Sequence, residues 1–401
     1  MASPLNTIPE AIAALQRGEF IIVLDPAERE NEGDLVLAAQ FVNSEKVAFM
    51  LKHTSGILCV PMTKKRLEEL QLPRMVSKNT DAFNTPFTIS VDAKAGISSG
   101  VSALDRATTI QRLTAKETKP DDLVRPGHVF PLQAADGGVL QRVGHTEASV
   151  DLCKLADIYP AAVIAELMDE RGVVLKGDAL FAFAREHGMV VVTIADLIYY
   201  RRQRELLVDR GEQTSLPTSY GLFDVIPYTE KLSGAVHLAF VHGFVEGDEP
   251  VTVRMHSECL TGDVFSSQRC DCGAQLHKAL EMIAERGKGV LLYLRQEGRG
   301  IGLLEKLRTY SLQDKGYDTV DANVMLGYQP DMREYGIGAQ ILRDLGLKNI
   351  ILLTNNPRKI TGLEMYGLKI VGHEKLLIPP GENNFHYLKT KQEKLGHLLD
   401  L

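Results

Sequence analysis

The stretch GDALFAFAREHGMVVVTI, residues 177–194, contains the two patterns from which the fold class is predicted. Its first part, 177–188, has the pattern of a helix, and its last part, 189–194, is a short apolar run typical of a buried strand. The same alternation comes before it, in predicted helices over 9–17, 46–54 and 99–113 and predicted strands over 20–25 and 87–92. Helices and strands mixed in this way predict a layered α/β or α+β domain.

The second half of the chain has the same mixture, with a predicted helix over 276–286 and predicted strands over 236–245, 250–255, 289–294 and 349–354. Between the halves the pattern breaks at the basic run RRQRE, residues 201–205, which is followed by Gly211 and Pro217. We therefore predict a linker near residues 203–212 and interpret the basic run as solvated. The expected architecture is two different layered mixed α/β domains in tandem, 1–202 and 203–401.

Composition narrows the class of protein. A chain of 401 residues with 44% hydrophobic and 24% charged residues has the values of a globular protein of two or three domains. The net charge of −7 disfavours a general nucleic-acid binder. No apolar run approaches the length of a membrane-spanning helix, so no membrane partner is expected. Five cysteines without a secretory pattern at the start favour a reducing, cytoplasmic location.

Three of the five cysteines, Cys259, Cys270 and Cys272, fall in the segments HSECLTG and RCDCG. Thiolates at this density in a reducing compartment favour zinc. Three protein ligands would leave a fourth position for water, as in catalytic zinc sites, whereas a structural site would need one more ligand, such as His256 or His277. The spacing alone does not identify a substrate.

Residues suited to a polyanion surround this cluster. Arg254 precedes it, and the run QEGRGIG at 296–302 follows a predicted strand and opens a predicted helix, where free backbone N–H groups favour phosphate. Lys359 follows Asn356-Pro357, a typical helix start, and is a second candidate phosphate contact. The glycine run is equally typical of a flexible turn. Lys359 is equally typical of a solvated lysine.

Residues 208–401 resemble GTP cyclohydrolase II in the stretches RMHSECLTGDVF, QRCDCGAQL, LLYLRQEGRGIGLLEKLRTYSLQD, GYDTVDAN and LLTNNPRKI. The resemblance implies opening of the GTP imidazole ring with release of formate and pyrophosphate. It implies zinc at Cys259, Cys270 and Cys272. It implies Asp331 as a base, Arg333 as a nucleophile at the α-phosphorus and Tyr310 near the zinc-centred chemistry. It implies GTP contacts by Arg254, Met255, His256, Ser257, Glu258, Gln275, Glu297, Gly298, Arg299, Thr319, Thr354 and Lys359.

The first half has its own cluster of titratable residues. The segment ERENEGD, residues 28–34, contains four carboxylates directly after a predicted strand, and taken alone it is also typical of a charged surface turn. His128 and His145 lie in glycine-rich segments, RPGHVF and RVGHTE, and Arg142 precedes the second. Imidazole and carboxylate groups together suit Mg²⁺ or Mn²⁺, and Arg142 with the Gly144 backbone suits a phosphate.

Residues 1–202 resemble 3,4-dihydroxy-2-butanone 4-phosphate synthase in the stretches VLDPAERENEGDLVLAA, FTISVDA, SALDRATTI, RPGHVFPLQAADGGVL and GHTEASVDL. The resemblance implies conversion of ribulose 5-phosphate into formate and the four-carbon ketone phosphate. It implies Mg²⁺ or Mn²⁺ at Glu30 and His145, and His128 and Glu166 as catalytic residues. It implies substrate contacts by Arg29, Glu30, Asp34, Arg142, Val143, Gly144, His145, Thr146 and Glu166.

Both resemblances together imply a bifunctional enzyme that supplies two precursors of riboflavin, and both families imply a homodimer. Two other functions are consistent with parts of the sequence. A zinc nucleotide deaminase is suggested by His256-Ser-Glu258, but that class needs Pro-Cys-x-x-Cys, which Cys270-Asp-Cys272 does not match. The second alternative is a zinc-stapled nucleotide-binding protein without activity. The intact motifs argue against this alternative, although motifs do not measure turnover.

Overall fold

The computed structural model of the chain describes residues 5–26, 29–328, 333, 335–356, 363, 366–381, 383–396 and 398. The chain forms two compact units, Met1–Arg201 and Arg202–Leu401. Each unit contains one mixed β-sheet with helices packed on it, so the predicted layered α/β class is confirmed. Among the described residues, every helix is too short or too polar to cross a membrane.

The first unit is built on a seven-stranded sheet in the order β4-β5-β3-β6-β2-β1-β7. Its strands are β1 (Ile21–Leu24), β2 (Gly33–Ala38), β3 (Cys59–Met62), β4 (Val91–Ala93), β5 (Leu123–Gln133), β6 (Ala162–Glu166) and β7 (Val190–Thr193). Its helices are α1 (Ile8–Gln16), α2 (Ser44–His53), α3 (Lys64–Glu69), α4 (Ala103–Thr114), α5 (His145–Leu155) and α6 (Gly177–Glu186), and α7 (Ile194–Arg204) runs on to the unit boundary.

The register of the central strands places two acidic residues, Asp34 and Glu166, side by side where these strands begin and end. Strand β1 pairs antiparallel with β2, and β2 pairs antiparallel with β6, with Leu24 opposite Gly33 and Asp34 opposite Glu166. The end of β1, the start of β2 and the end of β6 therefore lie side by side. All six residues of β2 are buried, so the edge is held by a rigid core.

The second unit has an eight-stranded sheet in the order β15-β14-β12-β13-β11-β10-β8, with β9 paired to β10. Its strands are β8 (Val208–Arg210), β9 (Thr214–Thr218), β10 (Gly221–Glu230), β11 (Val236–His242), β12 (Val251–Ser257), β13 (Gly289–Leu294), β14 (Asn349–Leu353) and β15 (Lys369–Glu374). The described helices are α8 (Leu260–Asp263), α9 (Cys272–Glu285), α10 (Leu303–Gln313), α11 (Thr319–Met325), α12 (Gly336–Asp344) and α13 (Phe385–Leu395).

Strand β12 lies between β13 and β14 and is parallel to both. The carboxyl ends of these three strands therefore meet at one edge, which is where open α/β sheets bind their ligands. The segments that follow them begin at Glu258, Arg295 and Thr354.

Two predicted elements differ from the structure. The predicted strand over 87–92 is reduced to Val91–Ala93, because the neighbouring strand presents Pro131, which has no N–H to complete the ladder. The predicted linker near 203–212 begins inside α7 and contains β8, which pairs antiparallel with Tyr228–Glu230 of β10. Val208 is buried there, and a three-residue strand is too short for its pattern to be recognised.

Candidate active sites

The first candidate site lies at the edge of the first sheet where β1 ends. Asp25, Glu30 and His145 each offer one ligand atom there, and these atoms all lie within 4.8 Å of one another. The Asp25 carboxylate accepts hydrogen bonds from the backbone N–H groups of Glu30 at 3.0 Å and Glu32 at 2.8 Å. Asp25 therefore holds the turn that carries Glu30. Asp25 was not predicted from the sequence, although its place directly after a buried strand is a signal for it.

His145 is oriented to offer one particular nitrogen to this cluster. Its Nε2 lies 3.1 Å from the carbonyl oxygen of Val23, which can only accept, so Nε2 carries the proton. Nδ1 then has its lone pair directed toward Asp34 Oδ1 at 3.5 Å and Glu30 Oε2 at 3.9 Å. Burial lowers the pKa of His145 to about 4, so its imidazole is neutral near pH 7. A neutral imidazole fixed by a backbone carbonyl is the usual form of a metal-ligating histidine.

The carboxylates around His145 are poised for proton transfer. Burial, together with the charges of Glu166 and Glu30, raises the pKa of Asp34 well above its ordinary value. Burial also raises the pKa of Glu30. The Glu166 carboxylate accepts a hydrogen bond from Ser55 Oγ at 2.6 Å. The raised pKa values of Asp34 and Glu30 mean that the surroundings favour the protonated, uncharged form of these two carboxyl groups.

His128 forms a second, separate pair with a carboxylate. Its Nδ1 lies 2.7 Å from Asp92 Oδ2, and its backbone N–H donates to Asp92 Oδ1 at 2.9 Å. Asp92 is buried, so it fixes the imidazole from the protein side. Among the described residues, no hydrogen bond or ion pair joins this pair to Glu30 or His145. Asp92 was not predicted, because it lies 36 positions from His128 in the sequence.

The two predicted substrate-binding arginines meet at one loop residue. The Arg142 guanidinium donates to the carbonyl oxygen of Phe83 at 3.0 Å, and the Arg29 guanidinium lies 5.0 Å from the centre of the Phe83 ring. Arg142 also pairs with buried Glu147 at 2.6 Å. Val143 and Gly144 lead from Arg142 into α5, whose first turn contains His145 and Thr146. The structure therefore places Arg142 beside the N-terminus of α5, and Arg29 and Arg142 both contact Phe83.

The second candidate site is a pocket at the carboxyl ends of β12, β13 and β14. Most of the residues predicted for the second half line it together: Arg254, His256, Ser257, Glu258, Cys259, Cys270, Cys272, Gln275, Glu297, Gly298, Arg299, Tyr310, Thr319, Arg333 and Thr354. Met255 is buried in β12, and its side chain packs against Gly338 on the other face. Asp331 and Lys359 lie outside the described residues.

The three cysteines fit a zinc ion. Their sulfur atoms lie within 4.8 Å of one another, and the sulfurs of Cys259 and Cys270 are 3.6 Å apart. Two thiolates on a tetrahedral zinc are separated by about 3.8 Å when each bond is about 2.3 Å long. Among the described residues, no His, Asp or Glu joins the trio as a fourth ligand. His256 instead contacts Asp263 at 3.1 Å, which leaves the catalytic interpretation of the zinc site better supported than the structural one.

A buried lysine neutralises the charge of this cluster. Nζ of Lys306 lies 3.1 Å from Cys259 Sγ and 2.7 Å from Glu297 Oε1. Hydrogen bonds from the other two cysteines, and then the Lys306 ammonium, lower the pKa of Cys259. Glu297 also accepts from the backbone N–H of Leu260 at 2.6 Å, so its carboxylate holds the segment after the first zinc ligand. Lys306 was not predicted, because a lysine in a helical segment is usually solvated.

A chain of polar contacts connects the pocket wall to the zinc-binding segment. Arg254 donates to Gln275 Oε1 at 2.6 Å, and Gln275 donates to Asp271 Oδ2 at 2.5 Å. Asp271 lies between the two later cysteines and pairs with Lys391 at 2.8 Å. Burial lowers the pKa of Arg254 to about 10, so it keeps its positive charge at neutral pH. Neither Asp271 nor Lys391 was predicted, since 120 positions separate them.

Tyr310 and Arg333 lie on the walls of the same pocket. The Tyr310 hydroxyl is 3.1 Å from Thr261 Oγ1, and burial raises its pKa. The Arg333 guanidinium lies 5.9 Å from the centre of the Tyr335 ring. The pocket therefore combines a cluster of three cysteines with several cations, an arrangement suited to a polyanionic ligand.

Comparison with protein families agrees with this division of the chain. Residues 9–200 match the family of 3,4-dihydroxy-2-butanone 4-phosphate synthase, and residues 209–375 match the family of GTP cyclohydrolase II.

Individual relatives extend the similarity to nearly the whole chain. The riboflavin biosynthesis protein RibBA of Phocaeicola vulgatus is 52% identical over 395 residues, which is 98% of each chain. The protein of the same name from Aquifex aeolicus is 53% identical over 396 residues, again 98% of each chain. Among solved structures, RibBX of A. baumannii, described as a two-domain 3,4-dihydroxy-2-butanone 4-phosphate synthase, has a TM-score of 0.68 and 34% identity, covering 92% of this chain and 99% of that one.

Proposed function

Because the chain belongs to the family of bifunctional riboflavin biosynthesis proteins, we propose that each of its two units holds one complete active site. Family membership makes the chain a 3,4-dihydroxy-2-butanone 4-phosphate synthase and a GTP cyclohydrolase II. The proposal assigns the first activity to residues 1–202 and the second to 203–401. The observation that carries it is that two separate ligand sets, one of oxygen and imidazole and one of thiols, lie in different units.

In the first unit, Glu30 and His145 would hold Mg²⁺ or Mn²⁺, and Asp25 positions the turn that carries Glu30. When bound, the cation would stabilise negative charge on neighbouring oxygens of ribulose 5-phosphate. Arg142 and the N-terminus of α5, with Val143, Gly144 and Thr146, would bind the phosphate.

Proton transfers in the first unit would be made by three side chains. Asp34 and Glu166 face each other across β2 and β6, and the raised pKa of Asp34 suits a group that both gives and takes protons. His128, held by Asp92 through Nδ1, would take or give a proton at Nε2. Arg29, next to Glu30, would contact the substrate from the loop side.

In the second unit, Cys259, Cys270 and Cys272 would hold zinc, which when bound lowers the pKa of water so that hydroxide is available near neutral pH. Arg254, Arg299 and Lys359 would neutralise the triphosphate, and the residues predicted around them, His256, Ser257, Gln275, Gly298, Thr319 and Thr354, would shape the pocket.

Recognition of guanine needs a carboxylate that can accept from its amino and ring N–H groups. Both Glu258 and Glu297 line the pocket. Glu297 already accepts from two backbone N–H groups and from Lys306, whereas Glu258 accepts from the half-exposed Arg295 at 2.7 Å, so Glu258 is the better candidate for the base. Asp331 is proposed as a base, and Arg333 as the residue that acts at the α-phosphorus. Tyr310 is proposed to lie near the zinc-centred chemistry.

The test measures formate release from each substrate separately, with two variants as cross-controls. We expect Cys270→Ser to lose zinc and GTP opening and to keep ribulose 5-phosphate conversion. We expect Glu30→Ala to show the reverse pattern. Unchanged zinc content together with undiminished GTP opening in Cys270→Ser would contradict the zinc assignment. Loss of both activities in either variant, with both units folded, would contradict the separation of the sites.

We also propose that the chain forms a homodimer. The resemblance to both families supports this, and so do the apolar side chains of Val264, Phe265 and Leu304, which are 63%, 72% and 65% exposed in the single chain. Sedimentation equilibrium should give twice the chain mass of 44.3 kDa. A single-chain mass at micromolar concentration would refute the dimer.

A further inference from the structure

Helix α13 contributes to the wall of the second pocket although it lies outside the region that matches GTP cyclohydrolase II. That match ends at residue 375, and α13 covers Phe385–Leu395. Two of its residues one helical turn apart, Tyr387 and Lys391, line the pocket. Nζ of Lys391 lies 4.4 Å from the centre of the Tyr387 ring, a cation–π contact within the helix.

Lys391 makes its ion pair inside the zinc-binding segment. Its Nζ lies 2.8 Å from Asp271 Oδ1, and both side chains are buried, with 11% and 3% of their surfaces exposed. Asp271 is the residue between Cys270 and Cys272 and directly precedes α9. An ammonium and a carboxylate buried together at this distance compensate each other's charge, so each depends on the other as its partner.

Further contacts fix the helix and the segment before it to other parts of the pocket. Lys394 pairs with Asp318 and Asp321, and the Asp318 carboxylate caps α11, whose first residue is Thr319. Asn383, just before the helix, donates to Gln268 Oε1 at 2.6 Å, two residues before Cys270. The helix thus joins the zinc-binding segment to the helix that carries a predicted GTP contact.

We propose that α13 is an integral part of the GTP site and that Lys391 is a positioning residue, which holds Cys270 and Cys272 in place through Asp271. The proposal deepens the function proposed above and rests on it. Lys391 acts on the metal ligands through Asp271 rather than on the substrate. Its charge is already balanced by Asp271, and the carboxylate in turn accepts from Gln275, which supports Arg254.

Removal of the lysine charge has a defined physical consequence. In Lys391→Met the Asp271 carboxylate would stay buried and lose its cation, which is the costly way to break a buried ion pair. That cost is relieved by protonation of the carboxylate or by its movement toward water, and either change weakens the hold on the two flanking cysteines. Residues that orient metal ligands typically change metal affinity or activity by about 10- to 100-fold when they are replaced.

The experiment uses the full-length bifunctional chain loaded with zinc. Lys391→Met, Lys391→Arg, Asp271→Asn and the double variant Lys391→Met/Asp271→Asn are compared with Lys389→Met. Lys389 is the matched control, because it lies on the same helix, is exposed and pairs with exposed Glu393 at 3.8 Å. The readouts are the rate of zinc transfer to a coloured chelator, and kcat and KM for formate release from GTP. Circular dichroism and urea unfolding of each variant report whether the second unit is folded, and conversion of ribulose 5-phosphate on the same sample reports only the first unit.

We expect Lys391→Met to release zinc about 10- to 100-fold faster and to lose kcat by a similar factor, with little change in KM. Lys391→Arg should keep slow release, and the double variant should release zinc more slowly than Lys391→Met, because no unpaired charge remains. A raised KM for GTP with unchanged zinc release would overturn the positioning role, and so would wild-type behaviour of Lys391→Met. If the wild-type chain released no formate from GTP, the proposed function would fail, while zinc transfer would still test Lys391.

Discussion

The Asp92–His128 pair predicts a specific effect of a change of one atom, Asp92→Asn. The aspartate accepts from both the ring Nδ1–H and the backbone N–H of His128, at 2.7 and 2.9 Å. This fixes the proton on Nδ1 and leaves Nε2 with a lone pair that can act as a base. An asparagine whose oxygen keeps the backbone bond must turn its NH₂ group toward Nδ1. Nδ1 then has to accept, and the proton moves to Nε2.

The magnitude follows from the loss of the base. General acid–base catalysis by a positioned side chain contributes about 10²- to 10⁴-fold to the rate. We therefore expect kcat for ribulose 5-phosphate to fall by about that factor, which corresponds to about 3–5 kcal/mol in activation free energy. KM should change little, because neither side chain is proposed to bind the phosphate. His128→Ala should be as slow as the double variant Asp92→Asn/His128→Ala, because the two residues act as one unit.

The assay is formate release from ribulose 5-phosphate, with circular dichroism and urea unfolding of the same sample as the measure of intact protein. Asp122→Asn is the matched control, because Asp122 is exposed and its carboxylate accepts from the backbone N–H of its near neighbour Lys119 at 2.8 Å. Full kcat in Asp92→Asn would refute the orienting role of Asp92. A raised KM with unchanged kcat would place His128 in substrate binding instead of proton transfer.

Three further predictions concern the metal sites and the triphosphate. Gly262→Ala should lower the zinc content, because a Cβ there would lie 3.0 Å from Cys270 Sγ and 3.1 Å from Cys259 Sγ. Gly372→Ala is the control and should keep its zinc, because the nearest side-chain atoms to a Cβ there lie 3.9 Å away. Equal zinc contents of the two variants by metal analysis would contradict this. Arg333→Ala should release formate from GTP but little pyrophosphate, because a guanidinium stays protonated and can stabilise charge without acting as a nucleophile; loss of both products would favour the covalent role. In the metal-free protein the pKa of His145 is about 4 against an ordinary 6.5, so as the pH falls the unfolded chain binds this proton before the folded chain does. The free energy of unfolding should therefore fall as the pH drops from 6.5 toward 4. His145→Gln should weaken this pH dependence in urea melts, and an unchanged dependence would contradict the prediction.

The parts of the sites that could be predicted from the sequence are those whose residues are close together in it. The thiols of Cys259, Cys270 and Cys272 lie within fourteen residues, and the structure brings them within 4.8 Å. The same holds for Glu30 and Asp34, which are close in the sequence and both lie within 4 Å of His145 Nδ1. The element types of the long segments were also predicted, because their apolar patterns are set by the core that each unit buries.

The residues that were missed are partners from distant parts of the chain or charges in unusual places. Asp92 and Lys391 lie 36 and 120 positions from the groups they hold. No local pattern reports such a contact, because it is created by the strand order and by the packing of the last helix. Lys306 was missed for another reason, since its helical position predicts solvent exposure and only the fold shows the thiol and the carboxylate around it.

The partner residues that were not predicted from the sequence all act within their own unit. Each of them orients a proposed catalytic or metal-binding side chain of its own unit: Asp25 and Asp92 in the first, Lys306 and Lys391 in the second. The groups that set geometry and charge at one site are thus supplied by the same compact unit as the site itself. A substitution in one unit should therefore leave kcat and KM of the other unchanged. If kcat and KM of one activity changed with a substitution in the other unit, the proposal that each unit holds a complete site would be refuted.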